Sequence, residues 1–169
     1  MNDQRKESLP HLRELMKFLD ALNEESERGA VLISLSMLDN QLRQIIHAFL
    51  LDHPRTKPLL EGFNAPLGTL SARALAAFSL GLISEDEYAD LDLLRKVRNE
   101  FAHNVHVSFE DQRVRDLCKR LAHAAHDYGD VVVGPRGQFT SAAVALISNL
   151  TNRPHYVGLE RLSSRPWRI

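Results

Sequence analysis

The chain has 169 residues, 44% of them hydrophobic and 25% charged, and a formal net charge of −1. These values fit one globular domain, or one domain with a tail, and exclude a disordered, collagen-like or strongly basic chain. A nucleic-acid partner would have to be held by a local patch, because the molecule as a whole does not attract phosphate.

The first twenty residues open with Asp3, Arg5, Lys6 and Glu7 and hold no apolar signal segment, so a cytoplasmic location is expected. Ser8 can cap a first helix with Pro10 in its first turn, and Leu12, Leu15, Met16, Leu19 and Leu22 follow at helical spacing. Residues 23–27 are polar and read as a break. A long helix is expected from about Arg28 to Leu51, with Leu32, Leu35, Leu38, Leu42, Ile45, Ile46 and Phe49 as its buried stripe and His53-Pro54 as its stop.

Residues 54–68 are punctuated by Pro54, Pro58, Gly62, Pro66 and Gly68 and read as a long connector. By composition its apolar residues Leu59, Leu60, Phe63 and Leu67 are packing residues, although connectors of this length are often functional. Thr69 can cap a helix over 70–80, with Gly81 as its stop. Ser84-Glu85-Asp86-Glu87 is a capping box that opens a helix to about His103. Ser108 and Asp111 resemble another start, of a helix running through Leu117 and Leu121 to Tyr128. Val131–Val133 reads as a short extended segment and Gln138–Leu150 as the last helix. Residues 139–152 hold no charge or histidine but are too short and too polar to span a bilayer, so no membrane partner is expected. The expected fold is therefore all-α, a compact bundle of about six helices over residues 1–150, with a short irregular Arg-rich tail over 151–169.

Ala77-x-x-x-Gly81 followed by a capped helix has the outline of a DNA-reading helix-turn-helix. Its second helix, however, opens with Glu85, Asp86, Glu87, Asp90 and Asp92 and has no basic residue before Arg95. A recognition helix presents its N-terminal residues to the groove, and phosphate would repel these. The acids instead suit the positive end of the helix.

More chemistry is carried by Arg98-Asn99-Glu100-Phe101-Ala102-His103. At 100° per residue, Tyr88, Leu91, Leu94 and Phe101 line one apolar face, while Asn99 and His103 sit almost opposite Phe101. An arginine fork, an amide and an imidazole form a phosphate-handling set: a clamp, an orienting group and an acid or base. Spacing alone favours a structural role instead, with Asn99 and His103 hydrogen-bonded to a loop or a facing helix and Arg98 paired with a carboxylate. Other signals are weaker. His103/His106 and His123/His126 lack the converging third ligand that zinc needs, and no metal or cofactor is expected. Gly134-Pro135-Arg136-Gly137 lacks the Lys-Ser/Thr of a phosphate loop. Cys118 is the one cysteine, which excludes an intrachain disulfide. In the tail, Arg153, Arg161, Arg165 and Arg168 with Trp167 mix cations and aromatics, a combination able to contact nucleic acid by charge and stacking, although such a terminus is more often a solvated strand or a packing arm.

Arg98–His103 resembles the Arg-polar-x-x-x-His signature of the HEPN superfamily of helical nucleotide- and RNA-processing domains. Residues 28–34, the block Leu60–Thr69, Gly81–Ile83 and Arg98–His103, in that order, resemble the bacterial MtlR-like mannitol operon repressor family over about residues 8–150. That resemblance implies an all-helical transcriptional regulator without a helix-turn-helix, acting through a protein partner or an unusual nucleic-acid surface. It also shifts the connector toward function, with Glu61, Gly62, Phe63, Asn64 and Pro66 as a binding loop. The HEPN likeness implies a homodimer. It also implies an alternative activity, a metal-independent ribonuclease or RNA-binding protein with His103 as acid or base, Arg98 on the phosphate and Asn99 as orienter.

Overall fold

Ser26 has extended backbone and its side chain accepts the amide of Gly29, which satisfies one of the donors a helix start leaves open. The helix it opens, α1 (Glu27–Phe49), is the axis of the molecule. In the computed structural model, which describes residues 17–22 and 24–167, α1 packs against four of the later helices. Those elements are a 3-10 turn at Pro54–Thr56, α2 (Lys57–Leu60), α3 (Leu70–Ser79), α4 (Glu85–His103), α5 (Gln112–Cys118), α6 (Pro135–Thr151) and α7 (Arg153–Gly158). Helices α3, α4, α6 and α7 all touch α1, and no strand forms among the described residues. Residues 17–22 are helical, with Phe18 and Leu22 in the core; the expected start at Ser8 and Pro10, with Leu12, Leu15 and Met16, lies outside the described residues.

The core is the apolar stripe of α1 closed by the facing stripes of its neighbours. Leu38, Leu42, Ile45 and Ile46 of α1 are fully enclosed, as are Leu91, Leu94 and Phe101 of α4 and Leu146 and Ile147 of α6. Burying a side chain of this size contributes roughly 1.5–3 kcal/mol, so the interlocked stripes hold the bundle together. Phe101, Phe109 and Phe139 stack in a tilted row, with ring centroids 5.1 and 5.4 Å apart, joining α4, the segment after it and α6. Buried Gln41 donates to the Ile147 carbonyl at 3.0 Å and to Thr151 at 3.1 Å, fixing the register of α1 on α6. Arg28 donates to the carbonyls of Phe101, Asn104 and Val105, so it closes the open end of α4.

Several boundaries differ from expectation for identifiable reasons. α1 ends at Phe49, just before the expected Leu51. The capping box at Ser84 is complete: Ser84 accepts the Glu87 amide at 3.2 Å and Glu87 accepts the Ser84 amide at 2.8 Å. The helix expected to reach Tyr128 stops at Cys118. Asp90, buried on α4, accepts the amides of Ala122 at 2.8 Å and His123 at 2.9 Å and draws the chain into turns. Val131–Val133 does not form a strand. Tyr128 and Val131 exchange both backbone hydrogen bonds at 3.0 Å across a tight turn. The last long helix begins earlier than expected, at Pro135, a residue suited to the first helical position. The tail begins with a helix, α7, which packs on α1 and α6; irregular chain follows it.

Candidate functional site

Two surfaces stand out: a cleft walled by α1, α3 and α4, and the loop that leads into α3. The cleft has a volume of about 510 Å³. α1 contributes Leu32, Ser36 and Asp39, the start of α3 contributes Thr69 and Ser71, and α4 contributes Arg95, Arg98 and Asn99. Leu32 was expected in the buried stripe of α1, but it is 41% exposed because it forms a wall of this cleft instead of touching another helix.

The electrostatics are uneven. On one side, Asp39 pairs with the nearly buried Arg73 at 2.5 Å, and Arg73 also donates to the Leu60 carbonyl at 3.0 Å. On the other, Arg95 pairs with Asp92 at 2.6 Å, and Lys96 reaches the second oxygen of Asp92 at 2.7 Å. Burial pushes the Asp92 carboxyl up, but the hydrogen bonds and charges of Lys96 and Arg95 outweigh it and hold the group below its ordinary value. Exposed Arg98 has no carboxylate within ion-pair distance among the described residues; its one side-chain bond is a long 3.4 Å contact with the Asn99 amide oxygen.

The expected trio is therefore divided. Arg98 and Asn99 line the cleft, while His103, one turn on, lines a separate shallow depression with His106, Asp111 and Arg113. Among the described residues no group of three or more His, Cys, Asp and Glu side chains is placed to hold a metal. His123 is instead engaged with buried Asp90, its Nδ1 2.8 Å from the carboxylate.

The loop is fastened at both ends. Glu61 pairs with Arg43 at 2.6 Å, the Leu67 amide donates to the Leu59 carbonyl at 2.8 Å, and Leu60 is buried beneath. Gly62, at φ +108°, occupies backbone space that L side chains avoid. The result corrects the packing role expected of Phe63: the ring is 98% exposed, held out at the tip beside exposed Asn64 and Pro66.

The tail set is also divided. Arg153 makes a two-pronged contact with buried Glu87, 2.9 and 3.3 Å, and donates to the Leu82 carbonyl at 2.8 Å. Arg161 donates to the Ala48 carbonyl at 3.0 Å and pairs with Asp52 at 3.2 Å. These two arginines dock α7 and the chain after it, which removes them from a nucleic-acid patch. Arg165 and Trp167 are exposed, and Arg168 lies outside the described residues. Sequence reasoning missed Arg28, Arg73 and Asp90 as structural keystones. Their partners lie 13 to 77 residues away, and no local pattern announces them.

The α3–turn–α4 unit does not provide a groove-reading surface. Glu87 and Asp90 turn inward, Asp92 is paired, and Glu85 and Asp86 remain exposed at the helix start. Fold and site together define an all-helical domain whose distinctive surfaces are a cationic cleft and an aromatic-tipped loop. The sequence profile of the MtlR family, described as mannitol repressor, matches residues 16–128, and the chain belongs to that family. Mannitol operon repressors of Escherichia coli strain K12 and of an O6:H1 strain are each 44% identical over 48 residues, 28% of this chain. The matched stretch spans 24% of the length of those curated relatives. The fold is similar to a chain in the X-ray structure of the MtlR–HPr complex from Escherichia coli, with a TM-score of 0.68 and 23% identity, covering 81% of this chain and 98% of that one.

Proposed function

We propose that this chain is a cytoplasmic transcriptional repressor of a mannitol-type operon that works by gripping a protein partner, with residues 61–66 as part of the grip. One observation carries the reading: Phe63 is 98% exposed on a loop whose two ends are fastened by ion pairs and backbone bonds. An exposed aromatic ring on a loop so fastened loses little entropy on binding and is a typical interface anchor. Family membership and a fold neighbour solved together with HPr support it. The acidic start of α4 argues against direct reading of DNA by the helix-turn-helix outline.

The test is calorimetric titration of the purified chain with the HPr protein of the same organism. Complex formation is expected, and Phe63→Ala should weaken it by at least tenfold, about 1.4 kcal/mol, with an unchanged melting temperature. Absence of binding, together with unchanged operon transcripts after gene deletion, would reject the proposal.

A further inference from the structure

We propose that the cleft between α1, α3 and α4 is a binding site for a small phosphorylated polyhydroxy molecule, held at its phosphate by Arg98 and Arg95. At about 510 Å³ the cleft lies within the range of small-molecule sites and is larger than a bare phosphate ion requires. The charges that line it do not cancel. Asp39 is neutralised from beneath by Arg73, and Arg95 is balanced by Asp92, which leaves Arg98 as an uncompensated cation at the wall. Arg95 and Arg98 are three apart on α4, so both forks line the same cleft and can share an anion. Thr69 caps the Ala72 amide at 3.2 Å, and the first turn of α3 still presents its positive end at the same wall.

The remaining lining suits the rest of such a ligand. Ser36 and Ser71 offer hydroxyls, Ser71 sharing a 3.2 Å hydrogen bond with the capping hydroxyl of Thr69, and Asn99 offers an amide; such groups both donate to and accept from sugar-like hydroxyls. Leu32 supplies an apolar wall. Its position in the helical stripe of α1 marks it as a residue to be covered, and here it stands 41% open. A ligand seated in the cleft covers it. This site uses no residue of the 61–66 loop, and it stands or falls separately from the repressor reading.

The experiment is titration of the full chain, by calorimetry and by thermal shift, with glucose 6-phosphate, glycerol 3-phosphate, inorganic phosphate, glucose and a single-stranded oligoribonucleotide as probes. At least one of the two phosphate esters should bind, inorganic phosphate more weakly by tenfold or more, and glucose not at all. Arg98→Gln should weaken ester binding at least tenfold without moving the melting temperature of the ligand-free protein. Arg165→Gln, an exposed arginine outside the cleft, should leave it unchanged. No response to either ester at 10 mM would overturn the proposal. So would equal binding of inorganic phosphate, which means an adventitious anion only, and so would ester binding indifferent to Arg98→Gln. Tight oligoribonucleotide binding lost in Arg98→Gln, with no response to the esters, would assign the cleft to a nucleic acid instead.

Discussion

Cys118 shows at the scale of one residue how burial alone sets chemistry. It is fully enclosed at the end of α5, and burial pushes its thiol up to about 12. At pH 8 a thiol with that value is thiolate in about one molecule in ten thousand, so it is a poor nucleophile besides being shielded. The folded protein should therefore not react with a disulfide exchange reagent at pH 8, whereas one thiol per chain should react after denaturation in urea. Fast reaction in native buffer would show that α5 opens readily. The residue scale is also where the sequence was most legible for contacts between near neighbours. Ser84 and Glu87 are three positions apart and cap each other as their types require. Arg153 and Glu87 are 66 apart, and nothing in a row of tail arginines distinguishes the one that docks α7 from the one left in solvent. Arg98, Asn99 and His103 were legible as polar residues turned away from the core of α4. Their division between two depressions was not, because it depends on how α1 and α3 stand against α4.

Among the elements, α5 separates local preference from tertiary control. Leu117 and Leu121 keep helical spacing, so the sequence favours a helix continuing toward Tyr128, and the structure ends it at Cys118. Asp90 decides the outcome by offering acceptors to the Ala122 and His123 amides and to the His123 ring. Three hydrogen bonds to one buried carboxylate outweigh a few residues of helix propensity, each worth well under about 1 kcal/mol. Asp90→Ala removes all three acceptor contacts and leaves their donors to compete for water near the core. We expect a loss of about 2–4 kcal/mol, seen as a lower urea midpoint with little change in slope, and faster amide exchange at Ala122 and His123. A variant as stable as the parent would mean that the turns after α5 are held by Leu121 packing alone. The connector into α3 fails to read from sequence for a similar reason. Its Pro and Gly residues announce irregular chain, but the ion pair from Arg43 and the bond from Arg73 to the Leu60 carbonyl, which fasten that irregular chain to α1 and α3, come from residues distant in sequence.

For the whole molecule, the central place of α1 follows from its length and its long apolar period, which is why the all-helical class was legible while the packing of α7 was not. The same view bears on assembly. α1 is covered by α3, α4, α6 and α7, but the end of α4 leaves His103 exposed, and Val105 just beyond it is 82% exposed. We expect a homodimer that uses this end of α4. In a two-fold pair the same patch meets itself, so one substitution is felt twice across the axis. Light scattering at micromolar concentration should give twice the 19.1 kDa chain mass. Val105→Asp places like charges opposite each other in the pair and should return the 19.1 kDa species with the melting curve of a folded protein. A wild-type mass of one chain at every concentration would reject the dimer. A dimer indifferent to Val105→Asp would place the contact elsewhere, with the apolar side chains on the outer face of α3, Leu75 and Phe78, as the next surface to change.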